Sequence, residues 1–122
     1  MAGPHLAFVK IIVGDLTRAE RFYGDAFGLQ RTGSFATDAV EEVILRGAGG
    51  ASLVLYGWKD GRALIPGTTH GPIGFYVEDV DDAYAHALSA GAAHVREPAD
   101  YGSIRAAFVV SPDGHEIELV AR

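Results

Sequence analysis

The 122-residue sequence contains no cysteine, which excludes disulfide bridges, thiolate metal sites and cysteine nucleophiles. It also has no apolar run near the roughly 20 residues that a membrane-spanning helix needs. Basic residues are few, since 10 Lys and Arg stand against 16 Asp and Glu and the formal net charge is −6. No basic cluster is available to neutralise several phosphates. We therefore expect a cytoplasmic protein with neither nucleic acid nor a membrane as a partner.

The composition is that of an ordinary globular protein, with 48% hydrophobic and 21% charged residues. The apolar run at residues 6–13 is short, carries Lys10 in its middle and lacks a cleavage-site pattern. This run is therefore interpreted as a β-strand rather than a signal peptide.

The chain repeats itself at half its length. The stretch VGDLTRA, which begins at Val13, matches VEDVDDA, which begins at Val77, so the two copies are offset by 64 residues. In each copy a strand is followed by an aspartate that can cap a helix, Asp15 or Asp79. An internal repeat of this length indicates two copies of one structural module.

Each predicted helix is followed by three strand candidates and a turn-rich boundary. The linker GWKDGRALIPGTTHGP separates the halves and is rich in Gly, Pro and Thr. The fold class is therefore predicted to be α+β, a single domain over residues 1–122 made of two tandem βαβββ modules, about 5–60 and 70–122. The strand candidates lie near 29–35, 40–45 and 52–56 in the first module and near 94–96, 104–110 and 116–120 in the second.

This order of elements resembles the vicinal oxygen chelate superfamily of glyoxalases, bleomycin-resistance proteins and extradiol dioxygenases. The resemblance rests on DLTRAERFYGDAFGL after the first strand and on SPDGHEIEL near the C-terminus, and it covers essentially the whole chain. It implies that the modules form a cup-shaped mixed sheet with the helices on its outer face. It also implies a homodimer and a small-molecule ligand, but no particular activity.

The resemblance also locates the positions of the family's metal ligands. Metal-dependent members place one ligand, commonly His or Glu, on the first strand and one on the last strand of each module. The matching residues are Phe8, Val54, Pro72 and Glu118, and three of these side chains cannot coordinate a metal. We therefore predict neither a metal nor another cofactor.

Other histidines do not readily rebuild that metal site. His70 shares the strand parity of a ligand position, whereas His5 has the opposite parity. A metal held by His70, Glu118 and unforeseen donors is kept as an alternative.

Strand parity predicts which side chains line the cup. Lys10 is the unusual member, because a lysine within an apolar strand needs a partner, and Glu118 on the last strand is the natural one. The pair is either a structural ion pair with a lysine that reaches solvent, or a catalytic acid and base. Tyr101 and Arg105 fall in a loop and a strand start that could cover the cup. The candidate ligand-binding residues are Phe8, Ser52, Val54, Tyr56, Trp58, Tyr76, Tyr101, Arg105, Phe108 and Glu116.

This lining favours a metal-independent binding protein of the glyoxalase/bleomycin-resistance type that holds a flat or aromatic ligand. The alternative is a metal-free isomerase, cyclase or lyase that acts on an oxygenated small molecule with Lys10 and Glu118 as acid and base. A metal-dependent lyase or dioxygenase is the weaker alternative. At the level of the sequence all three stay open.

Overall fold

The computed structural model describes residues 6–65 and 67–121, so His5, where the predicted first module begins, lies outside the described residues. The predicted order of strand, helix and three strands occurs twice, which confirms the α+β class and the tandem βαβββ modules. The elements are β1 (Phe8–Ile12), α1 (Leu16–Phe27), β2 (Gln30–Ala36), β3 (Val40–Arg46), β4 (Ser52–Trp58), β5 (Ile73–Tyr76), α2 (Val80–Ser89), β6 (Ala93–Tyr101), β7 (Ile104–Val110) and β8 (Glu116–Ala121).

The chain divides into two compact units, unit one with residues 1–64 and unit two with residues 65–122. Unit one contains a four-stranded sheet in the order β1-β4-β3-β2, and unit two contains one in the order β5-β8-β7-β6. In both sheets the first strand runs parallel to the last strand of the module, while the remaining neighbours are antiparallel. The sequence repeat is therefore a repeat of sheet topology.

Helix α1 begins and ends where the sequence places its caps. The side chain of Asp15 accepts a hydrogen bond of 3.0 Å from the backbone N–H of Arg18. The helix is followed by Gly28, whose φ of 70° belongs to the left-handed region that favours glycine. Phe22 and Tyr23 are buried on the side of α1 that contacts β3 and β4, with ring centroids 5.0 Å apart in an edge-to-face arrangement.

Helix α2 repeats this construction in unit two. Asp79 accepts a 3.0 Å hydrogen bond from the backbone N–H of Asp82, and the buried residues Val80 and Ala87 lie on a helix that contacts β6, β7 and β8. In the described part of the chain, neither α1 nor α2 is long and apolar enough to cross a membrane.

The prediction of a loop before β7 is wrong, because β6 extends to Tyr101 instead of ending near residue 96. Pro98, which cannot donate to a strand ladder, lies where the pairing shifts register between Arg96 and Ala99. Beyond this irregularity the ladder resumes, and Tyr101 pairs with Ile104 across a tight turn. The segment is therefore a β-hairpin rather than a loop.

Candidate functional site

In unit one, Lys10 lies at the centre of a cluster of charged and aromatic side chains. Its Nζ atom is 2.9 Å from Oε1 of Glu42, 5.9 Å from the centroid of the Phe8 ring and 5.6 Å from that of Tyr56. Ile11, which follows Lys10, is buried, and Leu16 of α1 packs against Gly57 on β4. Because alternate residues of a strand face opposite ways, Phe8 and Lys10 share the face that α1 does not cover. We call this surface the helix-free face of unit one.

The ion pair of Lys10 is formed with Glu42 on β3, whereas the sequence suggested Glu118, a residue of unit two. The side chain of Glu42 is only 12% exposed and that of Lys10 is 44% exposed, so the lysine compensates a largely buried carboxylate. The sequence did not reveal Glu42, because Glu41 and Glu42 are adjacent acids and either could have faced solvent. The register decides, since it places Glu42 opposite Tyr56 on β4.

A second group of contacts continues from Tyr56 along the end of β4. The ring centroids of Tyr56 and Trp58 are 5.2 Å apart and the two rings are nearly perpendicular. The guanidinium carbon of Arg62 lies 3.7 Å from the ring centroid of Trp58. Arg62 is itself fixed by Asp60, to which its Nε and Nη2 atoms donate at 2.6–3.1 Å. This pairing lowers the pKa of Asp60 and raises that of Arg62. Arg62 thus covers one face of Trp58 and was not among the sequence candidates.

The other predicted residues of unit one form the base of this surface. Ser52 pairs in register with Phe8, and Val54 pairs with Lys10. Val54 is buried at 4% exposure, whereas Phe8 is 52% exposed. The helix-free face of unit one therefore combines an exposed aromatic ring with a buried apolar side chain.

In unit two, four residues form one row across the sheet. Arg96 pairs with Phe108, Phe108 with Glu118, and Glu118 with Gly74. The guanidinium carbon of Arg96 is 5.7 Å from the centroid of the Phe108 ring. Glu118 is half-buried, and within residues 67–121 its side-chain carboxylate makes no hydrogen bond or ion pair.

Two predicted residues flank this row. By strand parity Tyr76 and Glu116 share the face of Glu118, and Tyr76 is 71% exposed. They lie at opposite ends of the pairing between β5 and β8, since Tyr76 is opposite Val120 and Glu116 comes before the first pair.

The structure places Arg105 on the side of β7 that faces α2. Its Nε and Nη2 atoms donate to the carboxylate of Asp81 at 2.8 and 2.9 Å, and its Nη1 donates to Asp100 at 3.0 Å. These bonds raise the pKa of Arg105 and lower that of Asp81. A ligand contact by Arg105 would require them to break. Tyr101, at the end of the same hairpin, is exposed.

The described histidines His94 and His115 lie in two separate environments. His94 lies in β6, with its Nδ1 2.7 Å from the hydroxyl oxygen of Tyr84. The pKa of His115 is lowered, first by burial and further by the nearby His70, against an opposing effect of Asp113. Over residues 6–65 and 67–121, no group of three or more His, Asp or Glu side chains could hold a metal ion.

Comparison with known proteins shows what the chain resembles. A family model described as "Glyoxalase/Bleomycin resistance protein/Dioxygenase superfamily" matches residues 4–119. Glyoxalase I from Zea mays superposes with a TM-score of 0.87 at 24% identity, over 96% of this chain and 44% of that one. Glyoxalase I of Leishmania major gives 0.85 at 28% identity, over 98% and 87% of the two chains. A glyoxalase/bleomycin resistance protein from Albidiferax ferrireducens gives 0.73 at 21%, over 96% and 98%.

These structural similarities establish the fold. The chain spans less than half the length of the maize protein. No curated protein matches the sequence.

The residues at the family's metal-ligand positions do not fit a divalent metal. Phe8 is a phenyl group beside Lys10, Val54 is packed into the sheet, and Pro72 has no donor atom in its side chain. Only Glu118 offers an oxygen, and one carboxylate does not form the preorganised set of three or four ligands that holds such an ion.

Proposed function

The chain belongs to the glyoxalase/bleomycin resistance protein/dioxygenase superfamily, and from this membership we propose that it is a metal-independent protein that binds a flat small molecule. The binding surface includes the helix-free face of unit one. The observation that carries this proposal is the aromatic cluster around an already paired lysine, in which Phe8 and Tyr56 flank the Lys10–Glu42 ion pair. We further propose that the protein is a cytoplasmic homodimer.

The ion pair determines which interactions this face can offer. Because Lys10 forms an ion pair with Glu42, the positive charge of Lys10 is largely compensated within the protein. The ring of Tyr56 and the half-exposed ring of Phe8 then supply apolar area with a polar tip. An apolar lining with a few polar groups is typical of small-molecule sites.

The test compares the same substitution on two faces. Tyr56→Leu removes an aromatic ring from the helix-free face, whereas Tyr84→Leu removes one from α2 and serves as the matched control. For an aromatic compound that binds the wild-type protein, calorimetry should show about a threefold to tenfold weaker affinity in Tyr56→Leu. An unchanged affinity in this variant, or an equal loss in the control, would contradict the proposal.

The metal-free isomerase, cyclase or lyase remains the second candidate, and Glu118 is the observation that favours it. A half-buried carboxylate without an ion pair in its unit is available as a base, while Lys10 is engaged by Glu42. If Glu118 acts as a base, Glu118→Gln should lower turnover by orders of magnitude with little loss of binding. A bound compound that is never converted by the wild-type protein supports the binding function instead.

A further inference from the structure

We propose that Arg96, Phe108 and Glu118 form a ligand subsite on the sheet of unit two. This subsite would select an aromatic molecule with a carboxylate at one end and a hydroxyl or ammonium group at the other. The inference deepens the proposed function and rests on it, because it names the chemical class of the ligand.

The first support is the placement of two unlike charges on either side of an aromatic ring. Arg96 and Glu118 both pair in register with Phe108, so they lie two strands apart, at about 10 Å between their backbones. Directly opposed residues share a face of the sheet, so all three side chains project to the same side.

The second support is that both charges keep free hydrogen-bonding capacity. Over residues 67–121 the guanidinium of Arg96 makes a cation–π contact with Phe108, 5.7 Å from its centroid, but no ion pair or hydrogen bond. Glu118 likewise has no polar partner in this range. The planar guanidinium suits a carboxylate, which it can bind through two parallel bonds. An ionised Glu118 only accepts, so it requires a donor from the ligand.

The third support is the open space beside Glu118. Gly74, the neighbour of Glu118 on β5, has no heavy atom within 4 Å of the position that a Cβ would occupy. A ligand group could therefore approach the half-buried carboxylate from this side. Partial burial would also strengthen a hydrogen bond to that carboxylate, because less water competes for it.

The competing interpretation is that Arg96 and Glu118 only form an ion pair with each other over Phe108. That interpretation predicts a coupling between the two residues in the free energy of unfolding and no effect of either residue on ligand selectivity. The subsite predicts the reverse, with small effects on unfolding and large effects on selectivity.

The experiment measures three probes by calorimetry on the full chain. The compound 6-hydroxy-2-naphthoate has both end groups, 2-naphthoate has only the carboxylate and 2-naphthol has only the hydroxyl. The wild-type protein should bind the first at least about tenfold more tightly than either of the others. Arg96→Gln should remove the advantage over 2-naphthol, and Glu118→Gln should reduce the advantage over 2-naphthoate.

Matched controls remove the same charges elsewhere. Arg21→Gln on α1 and Glu78→Gln before α2 change exposed residues and should leave all three affinities within about twofold of the wild type. Each variant is first checked for an unchanged circular dichroism spectrum and melting temperature.

The outcomes separate this inference from the proposed function. Equal affinities of the wild type for the three probes, or selectivity unchanged in both site variants, would overturn the subsite while aromatic binding stands. If substitutions of Arg96 and Glu118 are coupled in the free energy of unfolding and neither changes ligand selectivity, the two residues form an internal ion pair. That result would also overturn the subsite. If neither the probes nor a wider panel of aromatic compounds binds, the proposed function fails together with the subsite.

Discussion

Among single residues, Glu42 shows how a buried charge depends on its neighbour. Its carboxylate is 12% exposed, and the only cation within 4 Å among the described residues is Lys10. Losing one member of a buried pair leaves an uncompensated charge, whereas replacing both members with apolar side chains is often neutral.

We therefore predict that Lys10→Met lowers the free energy of unfolding by about 1–2 kcal/mol, less than for a fully buried pair because Lys10 is partly exposed. The double variant Lys10→Met with Glu42→Leu should regain most of this loss. Urea denaturation of the two single variants and the double variant measures the coupling. Strictly additive losses would show that the pair has no energetic role.

His115 leads to a prediction about pH. Burial lowers its pKa below the usual 6.5, with His70 lowering it further and Asp113 opposing. The folded state then binds this proton less readily than the unfolded state. The contribution of the neutral His115 side chain to the free energy of unfolding is therefore fully present above pH 6.5 and is lost as the pH falls through the lowered pKa. Carboxylates such as Glu20, whose pKa is lowered from 4.5, titrate at lower pH and do not share this window.

His115→Gln should therefore reduce the loss of stability between about pH 7.5 and about pH 5.5. Urea denaturation at both pH values checks this, with His86→Gln on the exposed side of α2 as the control. A variant that loses as much stability as the wild type across this interval would contradict the assignment to His115.

Among the elements, the two helices begin with the same capping interaction. Asp15 and Asp79 each accept a 3.0 Å hydrogen bond from the backbone N–H three residues later. Asp79→Ala should lower the free energy of unfolding by about 1 kcal/mol, because one N–H at the helix start loses its partner. Asp79→Asn keeps an acceptor and should lose much less, as denaturation of both variants would reveal. Equal losses would mean that the negative charge, rather than the cap, stabilises α2.

The same local patterns explain how well the elements could be predicted. Caps, turn glycines and strand alternation act over a few residues, so the order and most boundaries of the elements follow from the sequence. The end of β6 was not predicted, because a proline such as Pro98 normally indicates the end of a strand. The structure accommodates it at a shift in the pairing with β7, which is a tertiary feature.

For the molecule as a whole, the site could be predicted only in part. The face of Lys10 and Phe8 follows from alternation in one strand. Glu42 and Arg96 are charged residues in strands, and their position beside Tyr56 and Phe108 depends on the register with the neighbouring strand. Register is set by how the whole sheet packs, which the alternation within one strand does not reveal.

The whole chain is predicted to bind no stoichiometric metal. Glyoxalase-type folds that use a metal need several donors, whereas Phe8, Val54 and Pro72 provide none at the positions where the family places them. Untagged protein purified without chelators, and again after incubation with Ni, Co, Mn, Fe and Zn, should contain no stoichiometric metal by elemental mass spectrometry. Binding by His70 would require Glu118 and further donors, so the variants His70→Ala and Glu118→Gln serve as controls. About one metal per chain that is lost in both variants would contradict metal independence and favour a lyase or dioxygenase with displaced ligands.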